Sequence, residues 1–174
     1  FGIDDWADDA SLIINELTKE PVILIGSSMG GWSMLLNAIR HPKKVCGLIG
    51  IAPAPDFTES ILQNFNNEEL LQLSSKGYVE IQSDYGDNPY IISKKLINSG
   101  KENLLLNSKI KINCPVHILH GGQDKDVPIE TSLKIMEQIE SEDVKLTAVK
   151  SANHQFSEEQ NLKLIFDAIK EMIN

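Results

Sequence analysis

Val22-Ile23-Leu24-Ile25-Gly26-Ser27-Ser28-Met29-Gly30-Gly31 is the stretch on which the fold turns. Its first four residues are apolar and rich in β-branched side chains, with no polar alternation, as expected of a strand covered on both faces in a parallel sheet. The glycine-rich turn follows at once. A helical pattern then places Trp32, Leu36 and Ile39 on one side and closes at Arg40-His41-Pro42, where proline cannot continue it. Gly26-Ser27-Ser28-Met29-Gly30 fits G-x-S-x-G, and it lies between strand and helix, the context that gives this motif chemical meaning. So sharp a turn predicts glycine at 26 and 30, to avoid collision of side chains flanking Ser28. It also predicts Ser28 at the strand's carboxyl end, where the Met29 amide and the helix N-terminus can stabilise an oxyanion. The competing reading is a glycine-rich connection with no chemistry.

The same alternation continues in both directions. Upstream, Trp6, Ala10, Ile13 and Leu17 form one apolar stripe of a helix that Asp4 or Asp5 can cap. Downstream come strands over 45–52, 116–120 and 144–149, with a proline-led helix over 128–139. A last helix follows His154. Its expected start is a Ser157/Gln160 capping box, and its expected buried stripe is Leu162, Phe166, Ile169 and Ile173. Strands separated by helices imply an α/β fold, a parallel sheet with helices on both faces. Residues 1–55 and 114–174 read as its core. Residues 56–113 break the rhythm, with Phe57, Ile61, Phe65, Leu70, Tyr78, Tyr85, Tyr90 and Leu104–Leu106 among polar residues, and read as a mostly helical insertion. Such an insertion can be a lid over the strand ends or a packing layer only.

Composition narrows the function classes. With 174 residues the chain can bury one sizeable core, so a single domain is expected. A net charge of -9, with dispersed Lys and Arg, argues against nucleic acid as a partner. No apolar run approaches a bilayer span. Cys46 and Cys114 lack further ligands at metal spacing and read as buried free thiols, which favours a reducing, cytoplasmic setting; Ile, Asn and Lys enrichment suits a bacterial source.

A serine hydroxyl needs a base and an acid that orients the base. The acid is expected just past a later strand, where His120-Gly121-Gly122-Gln123-Asp124-Lys125-Asp126-Val127-Pro128 offers two carboxylates. Asp124 is preferred because it lies nearer the glycine turn, whereas Asp126 precedes a proline-started helix and can cap it. Of four histidines, His41 reads as a helix cap, His117 as a satisfied core residue, and His120 as a structural partner of its loop. His154 alone follows the last strand in a polar loop. The expected catalytic set is therefore Ser28, Asp124 and His154, with Met29 in the oxyanion hole, Gly26 and Gly30 in the elbow, and neither metal nor cofactor.

Gly26–Trp32, Asn113–Val116, Ile118–Asp124, Val127-Pro128 and Asn103–Leu106 together resemble the α/β-hydrolase superfamily. They look most like the bacterial and mitochondrial acyl-protein thioesterase and acyl-glucuronide esterase group of abhydrolase-domain proteins. The resemblance implies hydrolysis of acyl esters or thioesters, small or protein-borne, through an acyl-serine. Acyl transfer from the same intermediate and a non-catalytic interaction role are the alternatives. Members of this fold carry about four strands before the first helix seen here, including the loop for a second oxyanion amide. The chain is thus expected to be the C-terminal part of a larger hydrolase. Val22–Ile25 is expected to be an exposed apolar edge, open to self-association.

Overall fold

The computed structural model describes residues 1–82, 86 and 88–173. In chain order its elements are α1 (Ile3–Leu17), β1 (Val22–Ser27), α2 (Met29–Arg40), β2 (Val45–Ile51), α3 (Phe57–Asn64), α4 (Asn67–Lys76), β3 (Tyr78–Ile81), β4 (Tyr90–Ser93), α5 (Lys94–Glu102), β5 (Val116–Gly121), α6 (Ile129–Gln138), β6 (Val144–Val149) and α7 (Glu159–Ile173). Strands β1, β2, β5 and β6 form one parallel sheet in that order. All four carboxyl ends therefore share one edge, the edge where loops can gather chemistry.

Register explains why β1 and β2 lack polar alternation. Leu24, Leu48, Val116 and Val144 lie side by side across the sheet, and all four pack with Met34, Leu35 and Ala38 of α2 and Ile135 of α6. On the opposite face Ile49, Ile51 and Leu119 pack with Phe156 and with Ala168 of α7. Both faces are covered by helices, so alternate residues have apolar neighbours whichever way they point. Helix α2 is itself sandwiched. Its sheet side carries Met34, Leu35 and Ala38, while Trp32 and Leu36 face a second cluster with Ile3 and Ala7 of α1 and with Leu73, Val79, Ile92, Leu96 and Ile97 of the 56–113 segment.

That segment is helical over α3, α4 and α5, but it also contains an antiparallel ribbon in which Val79 pairs with Ile92. Asn66 caps α4, accepting from Glu68 and Glu69 N–H, and Gly77 ends it at φ 83. The chain then turns straight into β3. Tyr85, counted among the insertion's aromatics, lies outside the described residues.

Several local expectations fail for identifiable reasons. In α1 the buried residues are Ile3, Ala7 and Ile14, with Trp6 of the expected stripe packed beside them, whereas Ile13 is exposed and Leu17 is 73% exposed. Both sets recur at helical spacing, so periodicity cannot choose between them. The N-cap of α1 is Gly2, and Asp5 contributes by accepting from Gly2 N–H at 2.7 Å. In α7 the packed residues are Ile165, Ala168, Ile169 and Met172, leaving Leu162, Phe166 and Ile173 exposed. This helix is apolar around more of its circumference than one sheet contact can bury. It also starts later than a Ser157 cap requires, because the Glu158 carbonyl accepts the first amide bonds, from Asn161 and Leu162. Cys46 is exposed at the amino-terminal end of β2, not buried, and Cys114 is half-buried; both thiols are free. Burial pushes the Cys114 thiol up from its usual range. As expected, β1 is a sheet edge, and Ile25 on it is exposed. Among the described residues, no helix is long and apolar enough to cross a membrane.

Candidate active site

Ser28 sits between β1 and α2 at φ 52, ψ -123, a backbone conformation rarely adopted by a side-chain-bearing residue. Its surroundings hold it there. Ser28 N–H donates to Ile51 O at 2.9 Å, and the Ser28 carbonyl accepts from Ala54 N–H and Gly31 N–H, each at 2.9 Å. The turn is thus bonded to the end of the neighbouring strand β2 and to the loop beyond it. Gly26 is required as expected, since a Cβ there would lie 2.6 Å from Gly30 O. Gly30 is not, because a Cβ on it would meet nothing within 4 Å. The second close approach falls instead at Gly31, where a Cβ would come within 2.4 Å of Pro53 Cβ. The turn throws residue 30 outward and presses residue 31 against the β2 loop. Met29 is the first residue of α2, so its amide has no acceptor within the helix and lies at the positive end of the helix dipole.

Two separate loops build the other half of the site. Asp124 follows β5 and His154 follows β6, and His154 Nδ1 lies 2.8 Å from Asp124 Oδ2. The Asp124 side chain is 1% exposed and that of His154 is 13% exposed. Asp124 Oδ1 accepts the amides of Asp126 and Val127, both at 2.9 Å. A carboxylate beside Nδ1 makes that nitrogen the donor, which leaves the lone pair on Nε2, the form a general base needs. The loops can meet because Gly121 has no side chain: a Cβ there would lie 2.5 Å from both Ala152 O and Asn153 O. Gln123 N–H to Ala152 O, 2.9 Å, and Gly122 N–H to Val149 O, 2.7 Å, bind them together. Phe156, buried at φ 53, anchors the far side of the His154 loop in the core.

The structure sets Asp124 against His154 at 2.8 Å, while Asp126 is exposed, offers its backbone amide to Asp124 and brings its carboxylate close to the same pair. The N-cap position of α6 is Pro128, not Asp126. The other histidines lie elsewhere. His41 is the C-cap residue of α2 and its ring reaches Ser11 Oγ at 3.0 Å. His117 contacts Thr147 Oγ1 at 2.8 Å, and burial lowers its pKa below the usual imidazole range. His120 is fully buried, between Ser132 and Val127 O.

Two features of this edge escaped the sequence reading. Gly121 was legible only as part of a glycine pair, without the contact that demands it. Asp56 opens the insertion, and its carboxylate accepts the amides of Leu105 at 2.8 Å and Leu106 at 2.9 Å, tying that start to the stretch after α5. Burial raises its pKa, and those amides and Lys134 oppose the rise. A charged residue closing the apolar run Ala52-Pro53-Ala54-Pro55 was the available signal. Asp124, Asp126 and His154 also bring possible ligand atoms within 4.8 Å of one another. As a cation site the set is poor, since both Asp124 oxygens are already engaged by N–H groups.

The family described as Hydrolase_4, serine aminopeptidase S33, matches residues 2–105. The chain belongs to this family. Relatives of this chain include the protein named palmitoyl-protein thioesterase ABHD10, mitochondrial, of Homo sapiens, 34% identical over 170 residues, which cover 97% of the chain and 56% of that protein. The chain thus spans little more than half the length of such curated relatives. Among solved structures, one from Agrobacterium vitis superposes with a TM-score of 0.95 at 36% identity, covering 100% of this chain and 69% of that one. The α/β hydrolase domain-containing protein 10 from mouse gives 0.89 at 34% identity, covering 99% and 70%. These likenesses establish an α/β-hydrolase fold, with the parallel sheet and flanking helices described above.

Proposed function

We propose that the chain carries the triad of a serine hydrolase that cleaves long-chain acyl thioesters or esters. Ser28 is the nucleophile, His154 the base and Asp124 the residue that orients it. His154 takes the Ser28 hydroxyl proton as oxygen attacks the acyl carbonyl. The Met29 amide stabilises the oxyanion, and the imidazolium then protonates the departing thiol or alcohol. Water, deprotonated by the same histidine, releases the acid and restores Ser28. The observation that carries this reading is the 2.8 Å contact between His154 and a buried, doubly amide-bonded Asp124 at the edge to which Ser28 is also held. Thioesterase substrates are favoured by the relatives named for that activity, and hydrolysis over acyl transfer by the same names. The insertion begins at the carboxyl end of β2, beside the Ser28 turn, and its apolar cluster includes Met29 and Phe57, so it is suited to forming a wall of the acyl site.

The test is covalent labelling of the protein with a fluorophosphonate, followed by peptide mass spectrometry. A mass gain on Ser28, with faster turnover of a palmitoyl thioester than of an acetyl ester, is the expected result. An unlabelled Ser28 in the folded protein would sink the proposal.

A further inference from the structure

His120 occupies a position that the sheet pattern reserves for an apolar side chain, and it is 0% exposed. A buried imidazole is costly unless both nitrogens find partners. Here both do. Nε2 lies 3.0 Å from Val127 O, a group that only accepts, so Nε2 carries the hydrogen. Nδ1 then holds a lone pair and accepts from the buried hydroxyl of Ser132 on α6, 2.7 Å away. The Val127 carbonyl thereby selects the tautomer, and the Ser132 hydroxyl satisfies the other nitrogen. The same Nε2 is 3.5 Å from Asp124 Oδ2, the oxygen that also meets His154. That distance is long for a hydrogen bond, but it sets the positive end of an N–H dipole beside a carboxylate in a buried place.

The contacts close a ring. The Val127 amide donates to Asp124 Oδ1 while the Val127 carbonyl accepts from His120, so the loop from Gly121 to Val127 is pinned to its own strand through this one imidazole. Both Asp124 oxygens are consequently fixed: Oδ1 by two amides, Oδ2 between two histidines. We propose that His120, locked by Ser132, is a positioning residue that holds the Asp124 carboxylate, and through it His154, in the working orientation. The geometric part stands on the contacts above; its kinetic consequence rests on the function proposed for Ser28, Asp124 and His154.

The test compares the protein with its His120→Leu, His120→Gln and Ser132→Ala variants, by acyl-ester kinetics and by the downfield proton resonance of His154 Nδ1–H. Gln can present an amide N–H toward Val127 O and an oxygen toward Ser132, whereas Leu can do neither. His120→Leu is expected to lower kcat by about ten- to a hundredfold with little change in KM, because a catalytic group displaced by about 1 Å loses rate on that order. His120→Gln should recover kcat to within a fewfold and keep the resonance, which His120→Leu should broaden or shift. A folded His120→Leu variant with unchanged kcat and resonance overturns the proposal, as does a Gln variant no better than Leu. Should the Leu variant fail to fold, Ser132→Ala decides: a lower kcat with a displaced resonance supports the proposal, and wild-type values for both overturn it. If the unmodified protein neither turns over substrate nor labels at Ser28, the functional reading falls, while the resonance still decides the role of His120.

Discussion

The two halves of the site are held by different forces. The Ser28 side is one continuous segment, and its geometry comes from backbone sterics: a strained serine, a glycine at 26 that clears Gly30, and a glycine at 31 that clears Pro53. The Asp124–His154 side joins two loops whose partners lie 30 residues apart, and it is held by hydrogen bonds among buried polar groups. A local steric arrangement is written in a few adjacent residues. A polar arrangement between loops exists only after the sheet has aligned its strand ends.

That contrast can be broken from either side. The largest effect is expected for Ser28→Ala, which should abolish fluorophosphonate labelling and reduce kcat by about a millionfold, as loss of a triad nucleophile does elsewhere. Next, Asp124→Asn should lower kcat by about 10⁴-fold by favouring the wrong tautomer of His154, with thermal stability little altered. Asp126→Asn, measured alongside, should cost less than about tenfold, since Asp124 is the buried carboxylate 2.8 Å from Nδ1 and Asp126 is exposed. On the steric side, Gly26→Ala and Gly121→Ala each drive a Cβ into backbone and should destabilise the protein by about 1–3 kcal/mol in denaturant melts, the range for overpacking. Gly30→Ala, in open space within α2, should be neutral or gain about 0.5–1 kcal/mol. A Gly30→Ala variant as unstable as Gly26→Ala would refute this account of the turn.

The smallest effect concerns pH. Burial lowers the His117 pKa in the folded chain, with Glu171 opposing and Lys145 reinforcing the shift. The unfolded chain therefore binds a proton more readily. Stability contributed by neutral His117 is fully present above about pH 6.5 and is lost as pH falls toward the lower folded value. His117→Gln should flatten that slope in melts between pH 5 and 7, in the buffer range where imidazole titrates.

The limits of the sequence follow from the same physics. Strands β1 and β2 were legible because a doubly covered strand is a continuous apolar run, and the Ser28 turn because its motif is contiguous. Asp124 was separated from Asp126 by its distance from the glycine turn, which bears on where the loop can reach. The helices were less legible. In α1 and α7 the stripes read from periodicity included Leu17 and Phe166, both well exposed, since each helix carries more than one apolar stripe and only packing selects the buried one. The ribbon of β3 and β4 was hidden because four-residue strands are too short to show a period.

By itself, then, the sequence determined the alternation of strands and helices, the Ser28 turn and the order in which Ser28, Asp124 and His154 occur. These are local or sequential properties, set by side-chain volume, backbone freedom and apolar runs. Tertiary structure alone decided which helix faces are buried, why Gly31 and Gly121 must be glycine, and how His120 and Ser132 stand behind Asp124. Each of those depends on an approach between segments distant in the chain, and no local pattern encodes a distance that only the assembled sheet creates.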